Sequence, residues 1–134
     1  MKDIDKYIKE KTILVTGGGG SIGSELCRQI VKFKPKKLIV IDIYENNAYD
    51  LQMELNYEFP ELNKEFIIAS VRDFDRLKEI FEVNKPDVVF HAAAHKHVPL
   101  MENNPAEAIK NNVIGTYNVV KCCHKAGVKR FVQN

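Results

Sequence analysis

From Thr16 to Gly23 the chain reads TGGGGSIG, three glycines at three-residue spacing set between an apolar run (Ile13, Leu14, Val15) and an amphipathic stretch that begins at Ser21. Those residue types can cradle a phosphate. Gly17 can turn where a side chain would clash, Gly20 lets backbone approach a pyrophosphate, and Gly23 lets the following helix pack closely on the strand. The free N–H groups of the first helical turn then face the anion. A run of glycines can equally be a plain flexible loop; the flanking strand and helix, and a carboxylate further on, are what specify the cradle. That carboxylate is Asp42, near the spacing at which it would accept hydrogen bonds from the adenosine ribose hydroxyls. A 2′-phosphate would sit against it, and no Arg or Lys follows directly in Ile43, Tyr44 and Glu45. The pattern therefore predicts NAD in preference to NADP.

A second group of candidates lies in HAAAHKHVP, residues 91–99. Ala92, Ala93 and Ala94 are small where backbone would have to approach a dinucleotide, and they could at the same time be a packing seam between strand and helix. Lys96 is a candidate cation for the diphosphate or the nicotinamide ribose, although its spacing fits an ordinary solvated lysine equally well. His91, His95 and His97 suggest a metal, but His91 ends a buried strand and no carboxylate or cysteine completes a ligand set, so no metal site is expected. Tyr117 with Lys121, and Tyr7 with Lys11, both spell Tyr-x-x-x-Lys. In dehydrogenase-type sites such a tyrosine exchanges the proton and the lysine binds the ribose. Here Tyr7 precedes the first strand and Tyr117 lies well down a helix, so neither is expected to be catalytic.

The elements that must position these residues follow from periodicity. Thr12 to Thr16 is a near-continuous apolar run, as in a parallel strand covered on both faces. Ile22, Leu26, Ile30 and Phe33 mark a helix over 21–33, stopped by Pro35. Leu38 to Ile41 forms a second strand ending at Asp42, and 47–59 a helix closed by Pro60. Phe66 to Ala69 forms a third strand. Asp73 or Asp75 caps the next helix, with Phe74, Leu77, Ile80 and Phe81 as its apolar stripe. Val88 to Phe90 forms the fourth strand. After a long loop from His91 to Asn104, Pro105 opens a helix that ends at Gly127, and Val128 to Val132 forms the fifth strand. Strands alternating with helices require right-handed crossovers and a parallel sheet, an α/β Rossmann-like, doubly wound fold of strand order 3-2-1-4-5. Residues 1–10 read as a charged lead-in of low functional content, with Ile4, Tyr7 and Ile8 at helical spacing, that either packs against the domain edge or frays, and 11–134 as the dinucleotide-binding domain. With the chain stopping at strand five and nothing left to cover that edge, the expectation is the front part of a larger protein.

Composition narrows the function. The 134 residues suit one domain, and 20 basic against 18 acidic residues, with no dense basic block, argue against a nucleic-acid partner. Cys27, Cys122 and Cys123 form no Cys-x-x-Cys pair, and the charged N-terminus lacks the apolar core of a signal peptide. A reduced, cytoplasmic setting is expected.

TGGGGSIGSELCRQI, followed by HAAAHKHVPLMENNPAEAIKNNVIGTYNVV and VKRFVQN, resembles the polysaccharide-biosynthesis branch of the extended short-chain dehydrogenase/reductase family, over nearly all of residues 11–134. That branch includes nucleotide-sugar 4,6-dehydratases and epimerases acting on UDP-N-acetylglucosamine. The resemblance implies that Gly17, Gly20 and Gly23 form the dinucleotide loop, with Ser21 and Ile22 at its pyrophosphate-facing turn, and that Asp42 takes the ribose. It places Ser70 and Val71 in the family's Gly-Asp-Val-Arg-Asp stretch, Ser70 standing where the family commonly has the Asp that contacts adenine. It aligns Lys96 with the lysine beside the cofactor and Asn112 with the helix asparagine that supports the active site; on spacing alone, Asn112 reads as a solvated helix face. The family's catalytic Ser/Thr-Asp-Lys segment and its Tyr-x-x-x-Lys fall after strand five, so no catalytic residue is expected here. The implied parent is a homo-oligomeric enzyme for a UDP-sugar, with membrane anchoring, if any, upstream. It would oxidise the sugar at C4 and eliminate water across C5 and C6, or move a proton beside the transient ketone. The alternatives of another class are a non-catalytic dinucleotide sensor and a purely structural piece.

Overall fold

The structure, a computed structural model, describes residues 4–93 and 105–133; at residue 4 and over 105–111 the description is of the backbone alone. Five parallel strands run in the order β3-β2-β1-β4-β5: β1 (Thr12–Thr16), β2 (Lys37–Asp42), β3 (Lys64–Ile68), β4 (Val88–His91) and β5 (Arg130–Gln133). The expected fold and order are both present. β1 pairs with β2 on one side, Thr16 opposite Ile41, and with β4 on the other, Thr16 opposite His91. The order therefore reverses between β1 and β4, which puts a crevice beyond the carboxyl end of β1.

The helices are α1 (Ile4–Ile8), α2 (Ser21–Val31), α3 (Glu45–Glu58), α4 (Phe74–Asn84) and α5 (Pro105–Ala126). Every residue of β1 is buried, and its alternate side chains feed two cores. Ile13 and Val15 join Val40, Cys27, Ile30 and Leu51 under α2 and α3. Leu14 joins Ile39, Leu77, Phe81 and Val119 under α4 and α5. The lead-in does more than its charge suggested. Ile8 is 2 % exposed and belongs to the first core, while the Arg130 guanidinium lies 3.9 Å from the Tyr7 ring centroid and ties α1 to β5. Of the two capping candidates, Asp73 is the cap: its carboxylate accepts from the Arg76 amide at 3.1 Å. None of the helices among the described residues is long and apolar enough to cross a membrane.

Candidate functional site

The glycine loop joins β1 to α2 at the crevice, and its shape is fixed by neighbours on three sides. Gly17 has φ +69, and a Cβ there would stand 2.7 Å from the Ala93 backbone, so the turn needs both left-handed backbone and no side chain. A Cβ at Gly23 would overlap the Gly17 carbonyl oxygen, so the helix can start this close to the strand only with glycine at that position. Gly18 is closed in by Val40, and Gly19 by Asn47 and Asp42. Gly20 differs: a Cβ there would come no closer to the protein than 3.6 Å from the Gly17 oxygen, so this residue looks onto open space. It is also the N-cap of α2, with no side chain capping the helix. Ser21 and Ile22 open the first turn behind it, Ser21 exposed and Ile22 half-buried. An uncapped helix start beneath an open glycine offers its amide hydrogens to an anion.

Asp42 stands at the carboxyl end of β2 and is 5 % exposed. Its Oδ2 accepts from the Gly19 amide at 2.7 Å and its Oδ1 from the Tyr44 amide at 2.8 Å. A carboxylate has about four acceptor positions, so each oxygen keeps one for a ligand hydroxyl. The sequence suggested a ribose acceptor; the geometry adds that Asp42 also pins the glycine loop to β2.

On the other side of the crevice, the Ala92 amide donates to the Thr16 carbonyl at 3.0 Å and the Ala93 amide to Thr16 Oγ1 at 3.3 Å. These two alanines form the wall against which Gly17 packs. Thr16 Oγ1 lies 2.6 Å from His91 Nδ1, and His91 Nε2 lies 3.1 Å from Thr116 Oγ1 on α5. Thr16 Oγ1 also accepts from Ala93, and either neutral tautomer of His91 keeps both ring nitrogens hydrogen-bonded to a threonine hydroxyl. Burial pushes the His91 pKa down to about 4, so the ring is neutral near pH 7. Both nitrogens face threonine hydroxyls, which makes this histidine a strut between β1, β4 and α5.

Ser70 and Val71 lie in the turn after β3, next to Asp42: the Ala69 amide donates to the Asp42 carbonyl at 3.0 Å, and Ser70 Oγ accepts from the Arg72 amide at 3.1 Å. Asn112 is half-buried on α5. Ala94, Lys96, His95 and His97 lie outside the described residues. Tyr117 is 63 % exposed, with the Lys121 ammonium 5.9 Å from its ring centroid and 4.7 Å from that of Phe74. Tyr7 is occupied by Arg130. Among the described residues no three His, Cys, Asp or Glu side chains come together as metal ligands would.

The sequence reading missed Thr16, Thr116, Gly115 and Asn118. Gly115 could have been found, because a glycine inside a helix weakens it and so signals a close approach. Thr16, Thr116 and Asn118 carry no such mark.

The sequence and structure relate this chain to known proteins. It is 49% identical over 134 residues to the probable polysaccharide biosynthesis protein EpsC of Bacillus subtilis, covering 97% of this chain and 22% of EpsC. It is 39% identical over 123 residues to a UDP-N-acetylglucosamine 4,6-dehydratase (inverting) of Campylobacter jejuni, covering 91% of this chain and 35% of the enzyme. Its fold matches the Bordetella bronchiseptica enzyme WbmG, solved in complex with NAD and UDP, with TM-score 0.73 and 33% identity over 90% of this chain and 36% of WbmG. The chain thus spans between about a fifth and two-fifths of the length of these relatives. The polysaccharide biosynthesis protein family matches residues 13–133, from the first buried strand through the glycine loop to β5, and the chain belongs to that family.

Proposed function

We propose that this chain is the NAD-binding portion of a nucleotide-sugar 4,6-dehydratase or epimerase, acting on a UDP-N-acetylglucosamine-type substrate in surface-polysaccharide biosynthesis. The observation that carries the reading is the open, uncapped start of α2 at Gly20, flanked by a buried Asp42 with one free acceptor position on each oxygen. The relatives' names support the substrate class.

When bound, NAD supplies a reversible hydride acceptor for the sugar ring. The amides of Ser21, Ile22 and Gly23 hold the pyrophosphate, and Asp42 accepts from the two hydroxyls of the adenosine ribose. Ser70 accepts from the adenine amine beside Val71. Ala92 and Ala93 keep the wall of the crevice low, Ala94 and Lys96 are assigned to the cofactor with them on this proposal, Lys96 as the cation for the diphosphate or the nicotinamide ribose, and Asn112 supports the nicotinamide end. None of these groups is assigned a proton transfer to the sugar, and the chain by itself is expected to bind dinucleotide without turnover. On the same proposal the longer protein works in the cytoplasm as a homo-oligomer.

Isothermal titration of the whole chain with NAD and with NADP tests this reading. NAD is expected to bind, NADP to bind roughly tenfold more weakly or worse, a difference of about 1.4 kcal/mol, and Asp42→Asn to weaken NAD more than NADP. Equal losses for the two dinucleotides would remove Asp42 from the ribose. No binding at millimolar NAD would remove the cofactor.

A further inference from the structure

The loop between β3 and α4 is held partly by β2 and partly from within. The Ala69 amide is on the Asp42 carbonyl, the Arg72 amide on Ser70 Oγ, and the Asp73 amide on the Ser70 carbonyl at 3.0 Å. The carbonyls of Val71 and Arg72 are held from outside, by one side chain. Asn118 Nδ2 on α5 donates to the Val71 oxygen at 3.0 Å and to the Arg72 oxygen at 3.1 Å. Asn118 is 7 % exposed, so its amide is committed to this loop. One turn earlier Gly115 leaves a notch: a Cβ there would stand 2.7 Å from Val71 Cγ2. Val71 is thus gripped twice by α5, at its carbonyl by Asn118 and at its side chain by the missing Cβ of Gly115.

We propose that Asn118, with the Gly115 notch, is a positioning residue for the adenine end of the dinucleotide, acting through the Ser70–Val71 turn and touching no ligand atom itself. The inference rests on the NAD reading above. Its physical basis is that the turn is bonded at Ala69 to Asp42, so any shift of Val71 moves the Ser70 hydroxyl relative to the carboxylate that takes the ribose. Such a shift of a few tenths of an ångström is enough to misalign a hydrogen bond.

The test compares NAD with nicotinamide purine dinucleotide, in which hydrogen replaces the adenine amine and leaves the Ser70 hydroxyl nothing to bond, by titration of the full chain and of Asn118→Leu and Gly115→Ala, with a thermal melt of each. Unsubstituted protein is expected to prefer NAD. Asn118→Leu is expected to weaken NAD by roughly tenfold and the amine-free analogue much less, so that the preference collapses. Gly115→Ala should shrink the preference in the same direction, its methyl pushing Val71 while the helix preference for alanine offsets part of the overpacking cost. A merely structural Asn118 would lower the melting temperature and weaken both dinucleotides alike, and that result overturns the proposal. If Asn118→Leu does not fold, an unchanged preference in Gly115→Ala overturns it and a reduced one supports it. Absence of any preference in the unsubstituted chain would sink this inference and leave the NAD reading standing, whereas no binding of either dinucleotide would sink both.

Discussion

His91 could have been a metal ligand, a proton carrier or a packing residue, and its neighbours decide among these. Threonine hydroxyls from β1 and α5 occupy its two nitrogens, and its pKa falls from 6.5 to about 4 because the buried ring is costly to charge. The unfolded chain therefore binds a proton at a higher pH than the folded one. The contribution to stability is complete above pH 6.5 and is lost as pH falls towards 4. A fall of that size amounts to a loss of about 2 kcal/mol by pH 5 and about 3 kcal/mol by pH 4. Urea denaturation between pH 7.5 and 5, above most carboxylate titration, should show the decline, and His91→Gln should flatten it. A slope unchanged by the substitution would mean the ring is not held neutral in the fold. The position of Asp42 at the carboxyl end of β2 was legible at this scale, because it closes an apolar run. Thr16 and Asn118 were not legible, since their partners, His91 of β4 and the Val71 carbonyl between β3 and α4, lie 75 and 47 positions away along the chain.

At the scale of elements, the apolar pattern located the five strands and α2 to α4, Pro105 and Gly127 located α5, and the differences fall at ends where backbone bonding overrules hydropathy. β5 was expected from Val128, but the Val128 amide donates to the Cys123 carbonyl at 3.0 Å, which keeps it in the turn leaving α5 while its side chain still packs on the core. α2 stops at Val31, short of Phe33, which also packs inward from the following turn. β3 begins at Lys64, two residues before the apolar run, because it is the sheet's outer strand and its polar start can pair with Leu38 while facing water. α3 begins at Glu45, two residues before the expected Asn47, since the Ala48 amide already reaches the Tyr44 carbonyl at 3.2 Å. The end of α4 offers a test of the same local physics. Lys85 caps that helix in left-handed backbone at φ 46 and ψ 62, a conformation that strains a residue with a Cβ. Lys85→Gly should raise stability by roughly 0.5–1 kcal/mol, the relief of strain exceeding the extra freedom of glycine in the unfolded chain. A shift of the urea midpoint to lower concentration would refute it.

Across the whole molecule, one sheet separates two cores, and each holds a thiol that reports on it. Cys27 lies under α2 and Cys123 under α5, and burial pushes both thiols up to about 12. Neither is nucleophilic in the folded chain at neutral pH. A thiol reagent followed by mass spectrometry in increasing urea should label the two together if the layers unfold as one unit. Labelling of Cys123 well before Cys27 would show that the α4–α5 layer separates first.

The wall that Ala92 and Ala93 present to Gly17 exists only after β4 has docked beside β1, although 75 residues of chain separate Thr16 from His91. A nascent or partly refolded species without that docking has half a cradle and nothing to complete it. A dinucleotide that needs both halves would therefore arrive after that long-range docking, braking the return journey to the denatured ensemble and leaving the forward rate untouched.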